Sequence, residues 1–360
     1  MNAALLQDDL TLTLDGQAIS GWTDIRVTRG IERCPSDFSI GLTERYPGEL
    51  DTIMIPPFSP CTVKLGNDLV MTGYIDRFIP SYSADQHSIQ VIGRSKCADL
   101  VDCSAVCPTM QINNATILKI AQILAERYGI TVRSTADDLT VIPQCNINIT
   151  ESAYETIELY ARYSGVLVYD QPDGSLLLAK VSTERSNGAL KEGENVQAAS
   201  VEYCGDQRYS TYEIALNSAS QFSDMGSEED FIIMAAPDIN VPRYRNRIMV
   251  ATGQAGLAVA QKRAAWESAR RAGRSKIVRV KTDSWRAADG RLWEPNTIVS
   301  VSLPKLKLES AYFTIGEVTY ARDSQNGTTA ELTLMGSASY QPEPVQLMPL
   351  ALEFSNDPGF

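Results

Sequence analysis

The sequence predicts an α+β protein that is predominantly antiparallel β. Apolar and polar residues alternate with period two over much of 10–98 and again over 282–340, the pattern of strands with one buried face. Turn signals such as Asp15-Gly16, Gly66-Asn67-Asp68 and Asp289-Gly290 interrupt that alternation. Helical periodicity is confined to three stretches between the two blocks.

In the first block, Leu10 to Leu14 alternates and turns at Asp15-Gly16. Trp22, Ile25 and Val27 follow, then Phe38, Ile40 and Leu42 at period two. After the break at Pro56-Pro57, Cys61, Val63 and Leu65 alternate, Leu69 to Ile75 reads as a strand, and Ile89, Val91 and Gly93 close the block. Many short strands with frequent turns suggest a small barrel or sandwich.

Residues 99–182 read as an α+β module. Asn114 is placed to cap a helix whose apolar face is Ile117, Ile120, Ala121, Leu124 and Tyr128, ended by Gly129. Ile130 to Val132 reads as a strand. Ser152 and Glu155 have the spacing of a capping box, in which each side chain satisfies a free amide at the helix start. Gly165 ends that helix, and a hairpin follows from Val166 to Val181 around a Pro172-Asp173-Gly174 turn.

Residues 182–235 read as loop-rich, with strands at Val196–Tyr203 and Thr211–Leu216 and an acidic, solvated loop at 223–230. Gly256 to Ala272 reads as a helix with a stripe of small residues that includes Ala260, Ala264 and Ala272, and Trp266 lies on its other face near Arg263 and Arg270. Strands resume at Ile298–Leu303, Tyr312–Tyr320 and Ala330–Leu334, and residues 341–360 read as an extended, proline-rich tail.

At roughly 150 residues per domain, 360 residues imply two to four domains. The net charge of −12 argues against a general nucleic-acid coat, which carries a basic excess. That charge is uneven: residues 236–281 hold eleven basic side chains against two acidic ones, a local +9, so the other 314 residues carry −21. The basic stretch is open to three readings: a salt-bridged face, a docking face for an acidic partner, or direct nucleic-acid contact. Its interface candidates are Arg243, Arg245, Arg247, Arg263, Arg270, Arg271 and Arg274.

The chain contains one histidine, His87, in a polar turn, so any mechanism needing two of its imidazoles is excluded. No nucleophile motif accompanies it. Cys97, Cys103 and Cys107 lack the paired spacing and fourth ligand of structural zinc. Glu151, Glu155 and Glu158 could suggest a glycosidase pair, but Glu155 is already explained by the cap. No phosphate-binding loop is present, so no catalytic residue, metal or cofactor is expected. Seven cysteines, an odd number in a chain of this length, read as thiols rather than a secreted disulfide framework. No apolar run approaches the ~20 residues of a membrane span, and the N-terminus does not read as a signal peptide; the expectation is a soluble, cytoplasmically made protein with no membrane insertion.

Two segments share a layout. Pro60 to Ser95 and Pro295 to Ser337 each hold a strand, a turn, a strand through Gly-x-Ile or Ile-Gly-x-Val, a polar turn with an aspartate, and a strand ending in Gly-Arg-Ser or Gly-Ser. Convergence of two hairpin pairs is one reading and duplication the other.

Several stretches together resemble the baseplate hub proteins of Mu-like contractile-tailed phages. They are Gly21-Trp22-x-x-Ile25-x-Val27, with Ile31-Glu32 and Phe38 following; Gly73-Tyr74-Ile75-Asp76 with Gly93-Arg94-Ser95-Lys96-x-x-Asp99-Leu100-Val101-Asp102-Cys103-Ser104; Trp266-Glu267; and Gly290-Arg291-Leu292-Trp293-x-Pro295-Asn296. The Gly93–Ser104 and Gly290–Asn296 stretches are the most specific of these. The resemblance covers about 10–340 and rests on framework residues rather than a chemical motif. It implies a structural, non-catalytic homotrimer with two β-barrel-like tube domains per chain, forming a pseudo-sixfold ring. The ring would adapt a hexameric tail tube protein to a trimeric central spike protein, meet baseplate wedge proteins, and leave a channel through which DNA passes transiently. Its place would be the virion, after assembly in the host cytoplasm. The implied tube domains map to 1–98 and to 183–235 with 282–340. The α+β domain maps to 99–182, a basic, partly helical insertion to 236–281, and the tail to 341–360. A cell-wall-binding or cell-wall-degrading tail protein, and a cytoplasmic enzyme on a β scaffold, are the competing readings.

Overall fold

The computed structural model describes residues 9–44, 54–83, 87–217, 231–250 and 257–345. The N-terminal segment to Asp8, residues 84–86 beside His87, the acidic stretch 223–230 and residues 346–360 of the expected tail lie outside the described residues. In chain order, the first unit comprises β1 (Leu10–Leu14), β2 (Gln17–Ile19), β3 (Asp24–Gly30), β4 (Asp37–Glu44), β5 (Pro60–Leu65), β6 (Asp68–Tyr82) and β7 (His87–Ser95). A mixed unit follows: α1 (Ala98–Asp102), β8 (Gln111–Thr116), α2 (Ile117–Ala125), β9 (Val132–Ser134), β10 (Val141–Asn146), α3 (Ala153–Ala161), β11 (Leu167–Asp170) and β12 (Leu176–Ala179). The rest comprises β13 (Arg185–Lys191), β14 (Val196–Tyr203), β15 (Thr211–Asn217), β16 (Phe231–Pro237), β17 (Asn246–Val250), α4 (Leu257–Arg274), β18 (Lys276–Thr282), β19 (Ile298–Leu303), β20 (Leu308–Asp323) and β21 (Gly327–Met335).

Thirteen strands from both ends of the chain join in one sheet. Its path is β14-β18-β21-β20-β3-β4-β7-β6-β5-β1-β2, with β19 on β20 and β13 on β19. Split between β20 and β3, the path gives two modules of the same order: β3-β4-β7-β6-β5-β1 and β14-β18-β21-β20-β19-β13. The registers line up row by row. Val27, Phe38, Gly93 and Ile75 face one another across the first module. Val201, Val278, Leu334 and Ile315 do so across the second. The two modules differ at one edge, where β1 runs antiparallel to β5 but β13 runs parallel to β19.

Finer details repeat as well. The register shifts by one residue after Ile75 in β6 and after Ile315 in β20. Phe58 and Asn296, with φ of 70° and 64°, take up the same left-handed backbone ahead of the module's second hairpin. Phe58 donates its amide to the Ile75 carbonyl at 2.7 Å, and Ile75 donates to Ser59 at 3.0 Å. Asn296 donates to Ile315 at 2.8 Å, and Ile315 to Thr297 at 2.9 Å. The duplication therefore extends to individual hydrogen bonds. One detail of the sequence comparison is corrected: Gly93 corresponds by register to Leu334, so the Gly-Arg-Ser and Gly-Ser strand endings are not counterparts.

One apolar core runs beneath both modules. It includes Leu12, Val27, Phe38, Val63 and Val91 from the first and Val278, Val301, Ile315, Tyr320 and Leu332 from the second. Strict alternation would turn every second residue inward, yet Ile315, Val318 and Tyr320 are all buried. The extra residue at the bulge, Gly316, resets the phase so that both halves of the long strand face the core.

The mixed unit has its own core, with Ile117, Ile120 and Leu124 of α2 and Ile157 of α3 packed near Val132, Ile142 and Leu178. The cap of α2 differs from expectation. Thr116 accepts from the Lys119 amide, while Asn114 lies within β8 in a left-handed conformation with φ of 49°. The capping box at Ser152 and Glu155 has both of its bonds, at 2.8 and 3.1 Å. A separate three-stranded sheet, β16-β15-β17, packs against α4 through Ile214, Ala236, Ala260 and Ala264. This sheet straddles the boundary drawn at 235/236, and β18, assigned to the basic insertion, is a strand of the large sheet. Strands β13, β16 and β17 occupy stretches read as loop or insertion.

Close backbone approach explains two framework glycines. A Cβ on Gly73 would lie 1.9 Å from the Arg94 carbonyl, and one on Gly93 would lie 2.5 Å from the Tyr74 carbonyl. Gly73→Ala is expected to cost about 3 kcal/mol of stability in urea unfolding, because backbone must move. Gly336→Ala, whose added Cβ meets only ordinary contact at 3.8 Å, is expected to stay within about 0.5 kcal/mol.

Candidate functional site

The sequence stretches of greatest specificity converge on the seams between units. Arg94, on β7, reaches both a bulge and a helix. Its Nε and Nη2 donate to Asp76 at 2.6 and 3.3 Å, and Nη1 and Nη2 donate to Asp102 of α1 at 3.1 and 2.7 Å. Two carboxylates on one planar guanidinium fix the angle at which the mixed unit leaves the sheet. The Arg94 hydrogen bonds hold the Asp102 carboxyl below its ordinary range. Lys96, two residues on, donates its Nζ to the Gly129 carbonyl at 2.8 Å and its amide to Thr72 at 3.0 Å.

Asn296 makes the second seam. Its Oδ1 accepts from the Ser182 amide at 2.9 Å, and its Nδ2 donates to the Lys180 carbonyl at 3.1 Å and to the Tyr169 hydroxyl at 3.2 Å. The side chain thereby ties the exit of the mixed unit to the second module. Beside it, Trp293 is buried, and its carbonyl accepts from the Tyr320 hydroxyl. The third seam is Asp170, 3% exposed, whose Oδ1 accepts from the Ser36 amide at 3.1 Å and the Ser36 hydroxyl at 3.0 Å. Burial pushes its carboxyl above the ordinary range, against the opposing pull of Ser95, Ser36 and Arg29. Nearby, contact with Cys97 and burial raise the Cys34 thiol.

The seven candidate arginines of the basic stretch are mostly occupied within the chain. Arg270 and Arg274 on α4 donate to the Ser339 carbonyl and pair with Glu32. Arg263 pairs with Glu343 at 2.8 Å. Trp266 lies under Arg270, 5.3 Å from its guanidinium carbon, and donates Nε1 to the Gln341 carbonyl at 2.8 Å. The helix thus satisfies carbonyls of residues 337–343, a short 3-10 helix (Ser337–Tyr340) and the chain after it, which pair with no strand among the described residues. Arg271 pairs with Glu267 at 2.8 Å. Arg245, Arg247 and Arg271 surround the Tyr209 ring at 5.1, 5.4 and 5.7 Å. Arg245 also donates to the Arg208 and Asp206 carbonyls. Six of the seven thus have partners within the chain, and Arg243 is the exposed one.

Sequence reasoning missed Arg208, and it marks Glu32 only as a framework position beside Ile31, with no partner assigned. Arg208 forms a bidentate pair with Asp238 at 2.7–2.9 Å, with the aspartate side chain 4% exposed. Arg208 lies in no motif, and the partners of the two residues are separated from them by 30 and by 238 or more positions. His87 opens β7 and is half-buried. Among the described residues, no group of three or more His, Cys, Asp or Glu side chains could hold a metal ion, and no helix is long and apolar enough to cross a membrane.

Three family models match this chain. They are described as the N-terminal domain of Mu phage baseplate assembly protein GpP-like proteins over residues 9–95, the second domain of baseplate hub protein gp44-like proteins over 97–180, and the fourth domain of Mu phage baseplate assembly protein GpP over 256–343. The baseplate hub protein gp44 of Escherichia phage Mu is 30% identical over 338 residues, 91% of this chain and 88% of that protein. The 43 kDa tail protein of prophage MuSo2 from Shewanella oneidensis superposes with a TM-score of 0.84 at 29% identity, over 93% of this chain and all of that one. A tail protein from Neisseria meningitidis shares the fold, with a TM-score of 0.78 at 19% identity over 93% and 98% of the two chains.

Two outcomes follow from the seams. Asp170 has a native pKa above its unfolded value of about 3.9, so its contribution to stability is full below that value and is lost as pH rises through the native one. Asp170→Asn should abolish that decline, read as the pH dependence of urea midpoints in the acid range. Arg208→Ala should cost about 3 kcal/mol by stranding the buried Asp238 charge, whereas Arg243→Ala should stay within about 0.5 kcal/mol.

Proposed function

Because this chain belongs to the family of baseplate hub proteins of Mu-like phages, structural components of the phage tail, we propose that it forms a homotrimeric, pseudo-sixfold ring between tail tube and central spike. The observation that supports this reading is the repeated module: one chain carries two units with the same strand path, bulge and hydrogen bonds. Three chains then offer six similar surfaces. Such a ring meets a hexameric tube protein on one face, while its true threefold axis meets a trimeric spike protein on the other. The mixed unit and the β16-β15-β17 sheet with α4 decorate the ring, where wedge proteins would dock.

The charge distribution adds a second element. With the four arginines of α4 held in internal pairs, the acidic remainder of the chain suits a channel that lets DNA pass without binding its phosphates. The role is mechanical, with no catalytic step. The chain would be made and assembled in the host cytoplasm and end in the virion.

Light scattering is expected to give about three times the 39.5 kDa chain mass; a mass that stays at one chain at the highest soluble concentration would count against the ring. In the assembled ring, Asp and Glu are expected to outnumber Lys and Arg around the channel, and a basic lining would overturn the conduit. Cell-wall suspensions are expected to keep their turbidity; clearing that is lost on changing a single carboxylate would establish an enzyme instead.

A further inference from the structure

The two modules meet within the chain at a strand joint. Strand β3 lies along the second half of β20, pairing Glu317 with Gly30, Val318 with Arg29, Thr319 with Thr28, Tyr320 with Val27, Ala321 with Arg26 and Arg322 with Ile25. Along the same edge, the first half of β20 is covered by β19. A 16-residue strand thus serves two neighbours on one edge, its own hairpin partner and then the other module.

Each module carries both halves of such a joint, but only one joint is made inside the chain. In the first module, β5 covers β6 from Asp68 to Tyr74, and among the described residues nothing pairs with that edge from Arg77 to Tyr82. In the second module, β14 occupies the place of β3, and beyond one bridge from Val196 to Glu192 its outer edge is unpaired from Ala198 to Tyr203 among the described residues. We infer that these two free edges pair between copies: β14 of one chain lies on residues 77–82 of the next. This deepens the ring proposed above and rests on it.

The row correspondence sets the register. Because Val201 stands where Val27 stands, and Ile75 where Ile315 stands, Phe78 meets Tyr203, Pro80 meets Val201 and Tyr82 meets Ala199. Arg77 meets Cys204, Ile79 meets Glu202 and Ser81 meets Ser200. Burial fits this pairing. In the internal joint, Val27, Val318 and Tyr320 are fully buried. At the free edges, Phe58 is 86% exposed, Tyr82 90%, Ile79 40% and Tyr203 53%. Phe58 is the counterpart of Asn296, which in its own module is covered by the exit of the mixed unit. A large, exposed phenyl at the matching position is a surface for another chain to cover.

The joint between copies is weaker than its template by one donor. The Ile31 amide reaches the Gly316 carbonyl at 2.9 Å, so in an antiparallel ladder the pairs at Val318, Tyr320 and Arg322 exchange hydrogen bonds and those at Glu317, Thr319 and Ala321 do not. Pro80 stands where Tyr320 stands and has no N–H to give. A proline on an exposed edge also discourages pairing with strands of the wrong register. The contact is head-to-tail, with different surfaces on its two sides, so it propagates until a ring closes.

Arg77 and Cys204 would form a non-hydrogen-bonded pair, with Cα atoms about 4.5 Å apart, within disulfide reach. Arg77→Cys, oxidised mildly in the full-length protein, should run as a covalent trimer on a non-reducing gel. Adding Cys204→Ser should abolish the cross-link, and Phe78→Cys, which points to the opposite face, should not form it. Ile79→Cys with Glu202→Cys provides an independent pair. A trimer by light scattering in which neither pair cross-links would overturn the strand joint and leave the trimer standing. Monomers at every concentration, with no cross-link, would overturn both.

Discussion

The architecture depends on a single extra residue in each of two long strands. An unbroken strand of 15 or 16 residues alternates faces throughout and has one partner along each edge. The register shifts after Ile75 and Ile315 change both properties. They rotate the second half of the strand so that its apolar residues return to the core, and they swing it away from its hairpin partner so that another strand can take that edge. The sheet can then continue from one module into the next without a separate linking element. The core follows the same path, which is why residues from both ends of the chain share one apolar cluster.

The two bulge residues have diverged in use. Gly316 has no side chain, and the Tyr340 hydroxyl fills the place a Cβ would take, 2.1 Å from that position. Asp76, at the matching site, has a carboxylate that Arg94 grips. One bulge therefore seats the C-terminal segment, and the other anchors the mixed unit. Similar backbones with different side chains give one chain two distinct attachment points. The seams at Arg94, Asn296 and Asp170 are polar and directional, as hinge-setting contacts need to be, whereas apolar packing alone tolerates sliding.

Much of the fold was legible in the sequence because it is local. The Ser152–Glu155 box, the Asp15-Gly16 turn and the helix ended by Gly165 are each set by a few adjacent residues. The repeat was legible as well, since a module keeps its order of strand and turn. What failed to show is what depends on distance. The bulges break the period of two, so β6 was read only as far as Ile75. Strand β17 is interleaved with Arg247 and flanked by Arg245, and its charge reads as an insertion, although Tyr209 and the Asp206 and Arg208 carbonyls take up those guanidiniums. Asn114 carries the composition of a cap, but Thr116 stands where the backbone turns. The candidate arginines were found by type, while their partners, Glu32, Ser339 and Glu343, lie far off in sequence and could be supplied only by the fold.

The covalent link between the modules has a consequence for concentration. The β3–β20 joint forms between parts of one molecule, so its effective local concentration is set by the chain and does not fall on dilution. A closed ring of six separate modules would order six free bodies, each giving up translational and rotational freedom. Fusing them in pairs leaves three bodies to order. In the proposed ring, closure is therefore favoured at chain concentrations too low for six unlinked modules.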